Sequence, residues 1–130
     1  MGCIAEDHLT EAAREKIKAL LKNETLVQAA TWPDKIRKAI PQADPLHYVD
    51  VRRGSSYYDR DLDCPQRNCI VEAINWYLKV LTSTDSPLAE KQIALNYIVH
   101  LMGDLHQPLH VGFIDDLGGT KMKITFRGKE

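Results

Sequence analysis

The sequence predicts a single, mainly α-helical domain over residues 1–130, and three observations support this prediction. Apolar residues recur at helical spacing in four segments, and Thr or Pro stands where three of these segments begin. No Gly/Ser-rich linker and no internal repeat divides the chain. A domain of this length buries roughly two thirds of the surface that its unfolded chain exposes, which is enough for one core.

Helix start and stop signals place four helices and one strand along the chain. Thr10 is a suitable N-cap for the first helix, and Pro87 suits the first turn of the fourth. Pro33 falls inside the second helix, where we expect a kink or a restart before Pro41 ends it. We expect helices at 11–22, 25–40, 69–81 and from about 87 to before Pro108, an ordered loop at 42–68, and a strand, one half of a hairpin, at 121–127 (Met122, Ile124, Phe126).

Charge and cysteine content narrow the possible functions. Seventeen Lys and Arg residues stand against 18 Asp and Glu residues, which excludes binding of nucleic acid by a strongly basic surface alone. No apolar run reaches the ~18–20 residues that a membrane span needs. Cys64 and Cys69 are spaced to close a small disulfide ring, which would indicate an oxidising compartment, but two free thiols suit the same spacing.

The fourth predicted helix has an unusual pattern. Residues 92–103 include no charged side chain, so we expect this helix to be buried nearly all round. Tyr97, His100 and Asp104 lie on one stripe of it, and a buried aspartate must be paired, hydrogen-bonded or bound to a metal ion. We expect Trp32 and Trp76 to lie in the core.

Three of the five histidines lie between His100 and His110, and this run predicts a metal centre. His100 and Asp104, four residues apart on a helix, present an imidazole and a carboxylate to one point, and zinc binds both groups. Pro108 interrupts the helix and directs His110 toward a second centre. For each histidine taken alone, a hydrogen-bonded core residue is the alternative. No Ser-His or Cys-His pair and no glycine-rich phosphate loop points to another chemistry.

Five separated motifs occur together in this chain. They are Gly2-Cys-Ile-Ala-Glu-Asp-His-Leu-Thr10, Trp32-Pro-Asp34-Lys-Ile-Arg37, Pro45-Leu-His47-Tyr-Val-Asp50, Arg60-Asp61 before the cysteine pair, and Asn96-Tyr-Ile-Val-His100-Leu-Met-Gly-Asp104-Leu-His-Gln-Pro-Leu-His110-Val-Gly, followed by Gly118-Gly119. In this combination the chain resembles the zinc-dependent single-strand-specific nucleases over essentially its whole length. These fungal, plant and bacterial enzymes also act as 3′-nucleotidases and belong with zinc phospholipase C.

The resemblance implies a multi-helix fold of the zinc phospholipase C and nuclease type, with three clustered zinc ions. One ion would be held by four residues of this chain, namely Asp34, His47, His100 and Asp104. Asp104 would also bridge to a neighbouring ion, and His110 would bind the third. The resemblance therefore implies one complete zinc site within the sequence.

The same resemblance implies that the remaining ligands lie outside the sequence. An amino-terminal Trp and a nearby His are expected upstream of Gly2, and a His and an Asp are expected after Glu130. His106 has no implied ligand role. We therefore expect the chain to correspond to the amino-terminal half of such an enzyme and to be impaired as a nuclease on its own.

The activity implied by the resemblance is that of a hydrolase, an endonuclease and 3′-nucleotidase that leaves 5′-phosphate products. Its substrates would be single-stranded DNA or RNA and 3′-nucleotides, and its role would be DNA catabolism in a secreted or periplasmic location. Asp104 and Arg37 are the expected catalytic residues, with Arg37 steadying phosphate charge. Stacking on a base requires that the base is unpaired, which explains a preference for single strands.

The resemblance also assigns substrate-binding residues and a disulfide. Tyr48 would stack on a base, Asp50 would hydrogen-bond its edge, and Leu117 would form the opposite apolar wall. Cys64 and Cys69 match the short cysteine loop of the family, which implies that they are bonded.

Two alternatives stay open at the level of the sequence. A phospholipase C or a phosphomonoesterase would use the same scaffold, although Tyr48 and Asp50 favour a nucleotide substrate. A metal-binding module without catalysis is the second alternative. Oligomeric state is not predicted by any of these features.

Overall fold

The computed structural model describes residues 2–119 together with 123, 125 and 127, and its regular structure is almost entirely helical. This confirms the predicted mainly α-helical class, while Met122, Ile124 and Phe126 of the predicted strand lie outside the described residues. No helix in the described part is both long and apolar enough to cross a bilayer. The elements are α1 (Gly2–Asp7), α2 (Glu11–Leu21), α3 (Leu26–Ala39), α4 (Arg60–Asp63), α5 (Ile70–Thr82), α6 (Leu88–Leu105) and 3₁₀ segments at Pro41–His47, Pro108–Val111 and Ile114–Gly119.

Threonine caps begin α2 and α3 where the sequence predicts them. The Thr10 hydroxyl accepts a hydrogen bond from an amide of the first turn of α2, at 3.2 Å. Thr25 and Gln28 form a reciprocal pair in which each side chain accepts from the other residue's backbone amide. The short helix α1 was not predicted, and its Glu6 carboxylate accepts a further hydrogen bond from the Leu26 amide.

Two predictions about the first half of the chain are wrong in part. Of the kink or restart expected at Trp32-Pro33, no restart occurs, since α3 continues through a fully buried Pro33 to Ala39. A proline inside a helix removes one backbone hydrogen bond, and burial of the Pro33 ring in the interior offsets the free energy that is lost with this bond. The stretch at 42–68 is not wholly loop, since it contains a 3₁₀ segment and α4. Short turns of this kind show no apolar periodicity.

The helix α6 packs against both α3 and α5 and contributes to two parts of the core. Leu95 belongs to one cluster, which also contains Leu21, Leu26 and Ala29. Tyr97 and Leu101 belong to the other, with Val49, Cys64, Cys69, Ile70 and Ala73. The ring of Tyr97 stacks on that of Tyr77 at 4.3 Å, and it meets the edge of Trp32. Because both core clusters hold α6, the positions of His100 and Asp104 on the same helix are fixed as well.

Two predictions about burial are also wrong. Ile93 and Met102 of α6 are exposed, so this helix is not buried all round within the described part of the chain. Trp76 does not lie in the core but on the exposed side of α5, with 64% of its surface accessible. The sequence pattern shows that a helix is apolar, but it does not show which of its faces a neighbouring element covers.

The segment that contains α4 and the start of α5 is held in place by a disulfide and a buried carboxylate. Cys64 and Cys69 are bonded, with their Cα atoms 6.0 Å apart, as the resemblance implied. Asp63, at the end of α4, has a fully buried side chain that accepts hydrogen bonds from the Asp59 and Arg52 amides and from the Arg52 guanidinium. Burial raises the pKa of Asp63, but these hydrogen bonds outweigh that effect and lower it.

We predict that Asp63→Asn lowers the free energy of unfolding by about 2 kcal/mol at neutral pH, because an amide replaces a charged acceptor of several hydrogen bonds. A carboxylate with a lowered pKa stabilises the fold above its ordinary pKa of 3.8, and this contribution is lost as the pH falls through the lowered value. Urea unfolding between pH 3 and pH 7 measures both effects.

The matched control is Glu15→Gln on the exposed face of α2. We expect this variant to follow the wild-type loss of stability with acid, whereas Asp63→Asn should show a flatter profile. If the two variants have the same stability and the same profile, the buried carboxylate does not hold this segment.

Candidate functional site

Three potential ligand atoms converge at the centre of the molecule. Nδ1 of His47, Nε2 of His100 and Oδ2 of Asp104 each lie 2.9 Å from the other two. His47 ends the 3₁₀ segment Pro41–His47 and is 1% exposed, while the other two residues lie one turn apart on α6. Ligands bound to zinc at 2.0–2.1 Å in a tetrahedron lie about 3.3 Å apart, so this spacing is close to that of a metal site.

The ring of His100 is oriented by α3. Its Nδ1 donates a hydrogen bond to the carbonyl oxygen of Ala30 at 2.7 Å, and its Nε2 is directed at His47 and Asp104. Metal-binding histidines commonly donate their other ring nitrogen to such a carbonyl, which fixes the orientation of the ring. The structure therefore presents Nε2 of His100 to the cluster in the orientation that a metal ligand requires.

Asp34 completes the group from the side of α3. Its Oδ1 lies 3.9 Å from Nε2 of His100, and ligand atoms of Asp34, His47 and His100 all lie within 4.8 Å of one another. Asp34 follows the Ala30 carbonyl by one helical turn, so a single helix supplies both a carboxylate and the acceptor that orients His100. The four residues that the resemblance assigns to one ion are thus brought together.

The second oxygen of Asp104 faces a different imidazole. Oδ1 lies 3.7 Å from Nδ1 of His110, and this nitrogen is buried without a hydrogen-bond partner among the described residues. His106 is exposed and its Nδ1 donates to the carbonyl oxygen of Met102 on its own helix, so it lies apart from the cluster. Asp104 therefore lies between the ring nitrogens of His47 and His100 on one side and that of His110 on the other.

Electrostatics within the cluster favour a charged Asp104. Burial raises the pKa of this carboxyl group, but hydrogen bonds from His100 and His47 outweigh burial and lower the pKa well below its ordinary value. For His100, burial lowers the pKa, and the contacts with Asp104 and the Ala30 carbonyl outweigh it and raise the pKa. The cluster thus holds a carboxylate that attracts positive charge.

Tyr48 and Asp50 follow His47 in an extended segment that pairs with the chain after α6. The amides of Val49 and Val51 donate to the carbonyl oxygens of His110 and Gly112, each at 2.9 Å. Because side chains alternate along an extended segment, the burial of Val49 directs Tyr48 and Asp50 to the other side. Burial raises the pKa of both groups, and the nearby acidic side chains raise that of Tyr48 further.

A cavity of about 340 Å³ opens beside the cluster and contains the predicted substrate-binding residues. Arg37 lines it and lies 3.4 Å from Asp34 and 3.7 Å from Asp44, so its guanidinium is shared with two carboxylates. Leu117 lines the same cavity from the last 3₁₀ segment, at a positive φ of 48°. The full lining is Arg37, Asp44, His47, Tyr48, Asp50, Leu109, His110, Leu117 and Gly118.

Three groups that belong to the site were not predicted from the sequence. Asp44 and Leu109 line the cavity, and the Ala30 carbonyl orients His100. The carbonyl is a backbone group, so no residue type marks it. Asp44 and Leu109 lie in or beside short 3₁₀ turns, and only the folded chain brings them to the site.

Comparisons with known proteins agree on one family. The sequence model described as S1/P1 Nuclease matches residues 1–130. Endonuclease 3 of Arabidopsis thaliana is 37% identical over 141 residues, which cover 98% of this chain and 47% of the relative. Nuclease S1 of Aspergillus oryzae is 34% identical over 80% of this chain and 37% of its own length. Nuclease P1 of Penicillium citrinum is 26% identical over 96% of this chain and 49% of its own.

The chain spans about half the length of the curated relatives that it matches, or less. The match nevertheless extends over the whole sequence and includes the residues of the cluster and of the cavity. The chain belongs to the S1/P1 nuclease family.

Proposed function

We propose that this domain hydrolyses phosphodiester bonds in single-stranded nucleic acids with the help of bound zinc ions. One ion would be held by Asp34, His47, His100 and Asp104. Asp104 would also serve a neighbouring ion, and His110 would serve a further one. When bound, the zinc ions supply a water that is nucleophilic near neutral pH and an electrophile for the phosphate.

The arrangement of Asp104 is the observation that carries this proposal. One of its carboxylate oxygens faces His47 and His100, and the other faces the unpartnered nitrogen of His110. A carboxylate that only balanced a single histidine would not need both oxygens directed at different imidazoles. The donor set, two imidazoles and two carboxylates on one side, is of the kind that zinc prefers.

The residues of the cavity suit a nucleotide. Tyr48 offers an aromatic ring and Leu117 an apolar wall, so a base can lie between them. The Asp50 carboxylate accepts a hydrogen bond from an exocyclic N–H group of that base. Arg37 places positive charge on the side of the cluster, where the phosphate would lie, while its pairing with Asp34 and Asp44 keeps it in position.

This geometry also explains a preference for single strands. A base reaches the face of Tyr48 only when it is unstacked and unpaired. The chain carries 17 Lys and Arg residues against 18 Asp and Glu residues, so attraction of phosphates by net charge does not dominate. The disulfide between Cys64 and Cys69 persists in an oxidising environment, and we propose a secreted or periplasmic location for this protein.

Zinc binding is the first test. We predict that His100→Gln weakens zinc affinity by more than about 100-fold, because removal of a direct ligand costs at least as much as removal of a group that only orients one. Isothermal titration of zinc into the metal-free chain measures this affinity.

His106→Gln is the matched control, since His106 is a histidine of the same run that lies apart from the cluster. Its zinc affinity should equal that of the wild type. Equal affinities for all three proteins would show that zinc does not bind at His100.

Hydrolysis of competing substrates is the second test. With zinc supplied, we predict slow but measurable cleavage of single-stranded DNA with 5′-phosphate products, in keeping with the impaired activity expected for this chain on its own. Asp104→Asn should lower this rate by a further ~10²–10³, because it removes a charge that positions the reacting groups. Product analysis after incubation with single-stranded DNA, duplex DNA or phosphatidylcholine measures the preference.

The other outcomes identify the alternatives. Hydrolysis of phosphatidylcholine but not of DNA would assign a phospholipase C to this scaffold. Zinc binding without hydrolysis of any of these substrates would assign a metal-binding module, and both results would contradict the proposed nuclease activity.

Base stacking is the third test. We predict that Tyr48→Ala weakens binding of a single-stranded oligonucleotide about tenfold, while Tyr48→Phe keeps the ring and the affinity. The control is Tyr57→Ala, which removes a tyrosine that is 67% exposed and does not line the cavity. Fluorescence anisotropy of a labelled oligonucleotide distinguishes the variants. A loss as large in Tyr57→Ala as in Tyr48→Ala would argue against a stacking site at Tyr48.

A further inference from the structure

Asp44 places a carboxylate on the wall of the cavity beside the cluster. It belongs to the 3₁₀ segment Pro41–His47, three residues before His47, and 54% of its side chain is exposed. Among the described residues its one ion pair is with Arg37, at 3.7 Å. An ion pair as exposed as this contributes little to stability. The stability of the fold therefore does not explain Asp44, and its position on the wall points to the ligand of the cavity.

The guanidinium of Arg37 lies between two carboxylates. One terminal nitrogen is 3.4 Å from Oδ1 of Asp34, three residues away on the same helix, and the other is 3.7 Å from Oδ1 of Asp44. Asp34 is one of the four proposed ligands of a metal ion, whereas Asp44 is not among them. Asp44 is thus the contact that joins Arg37 to the segment ending at His47. A phosphate that binds to Arg37 comes to lie beside the Asp44 carboxylate.

The charged side chains on the wall of this cavity are acidic in balance. Apart from the imidazoles, the lining contains one guanidinium, that of Arg37, and two carboxylates, those of Asp44 and Asp50. The field of both carboxylates reaches Tyr48: burial raises the pKa of its hydroxyl group most, and Asp44 and then Asp50 raise it further. Negative charge brought into the cavity is therefore opposed by these carboxylates, and the repulsion grows with each charge that the ligand carries.

Phosphate esters of nucleotides differ in their charge. An internal phosphodiester carries one negative charge, because its other ester oxygen is bound to the next sugar. A terminal phosphate, as in a 3′-nucleotide, has a second pKa of about 6 and carries close to two negative charges at neutral pH. A carboxylate therefore repels the terminal phosphate about twice as strongly as an internal phosphate at the same position.

We propose that Asp44 is a specificity-determining residue, which directs this site to the internal phosphodiesters of nucleic acid chains and against 3′-terminal phosphates. The inference rests on the proposed function of the cluster and the cavity. It assigns the discrimination to the charge of Asp44, which acts on the phosphate beside Arg37, rather than to a contact with the base or the sugar. Removal of this charge favours the terminal phosphate most.

The test compares two ligands that differ only in the charge of the phosphate group. Thymidine 3′-phosphorothioate and its O-methyl ester, both slow to hydrolyse, are titrated into the zinc-loaded chain at neutral pH by calorimetry. We expect Asp44→Asn to tighten binding of the singly charged methyl ester about threefold and of the doubly charged phosphorothioate about tenfold, because the repulsion scales with the charge of the ligand. The ratio of the two dissociation constants then shifts about threefold.

Two variants serve as controls. Asp44→Glu keeps the negative charge on the cavity wall and should keep the wild-type ratio of dissociation constants. Asp85→Asn removes the same charge from an exposed carboxylate between α5 and α6, outside the cavity, and should also keep that ratio. Circular dichroism and zinc stoichiometry verify that each variant is folded and binds the metal as the wild type does.

The outcomes separate the two proposals. Wild-type binding of both ligands, with a ratio that Asp44→Asn leaves unchanged, would overturn the role of Asp44 and leave the proposed function intact. A shift as large in Asp85→Asn or in Asp44→Glu as in Asp44→Asn would overturn it as well, because the effect would then not come from the charge at this position. Absence of binding of both ligands to the wild type would overturn the proposed function and this inference with it.

Discussion

The buried contact among His47, His100 and Asp104 governs how the elements around the site are arranged. Two imidazole nitrogens and a carboxylate oxygen lie 2.9 Å from one another, although neutral imidazoles provide too few protons to satisfy such a group fully. A cation bound at this point, as proposed above, would resolve the conflict. The arrangement also links three elements, because His47 ends a 3₁₀ segment, His100 lies on α6, and the carbonyl that orients His100 belongs to α3.

The site depends on a second link, between the segment after His47 and the segment after α6. The backbone pairing of Val49 and Val51 with His110 and Gly112 brings Tyr48 beside the predicted ligands. The same pairing joins the proposed metal ligands to the proposed substrate-binding residues, so displacement of one segment would disturb both groups. The disulfide and Asp63 hold the adjacent loop, which explains why so short a stretch keeps a defined shape.

The sequence predicts the local parts of this site well and the non-local parts poorly. His100 and Asp104 are four residues apart on one helix, so their convergence follows from helical geometry alone. Asp34 and His47 are far from them in sequence, and only the resemblance to a family assigned them to the same place. The exposure of Trp76 and the continuity of α3 through Pro33 were not predicted, because both depend on packing between elements rather than on residue pattern.

Zinc binding at the cluster can be observed by anomalous diffraction from zinc-soaked crystals, with data on both sides of the zinc absorption edge. We expect a zinc peak about 2.0–2.2 Å from ligand atoms of His47, His100, Asp104 and Asp34. A map with no peak among these residues, in crystals whose zinc lies elsewhere on the protein, would contradict this expectation. The cluster would then be a hydrogen-bonded network of the core.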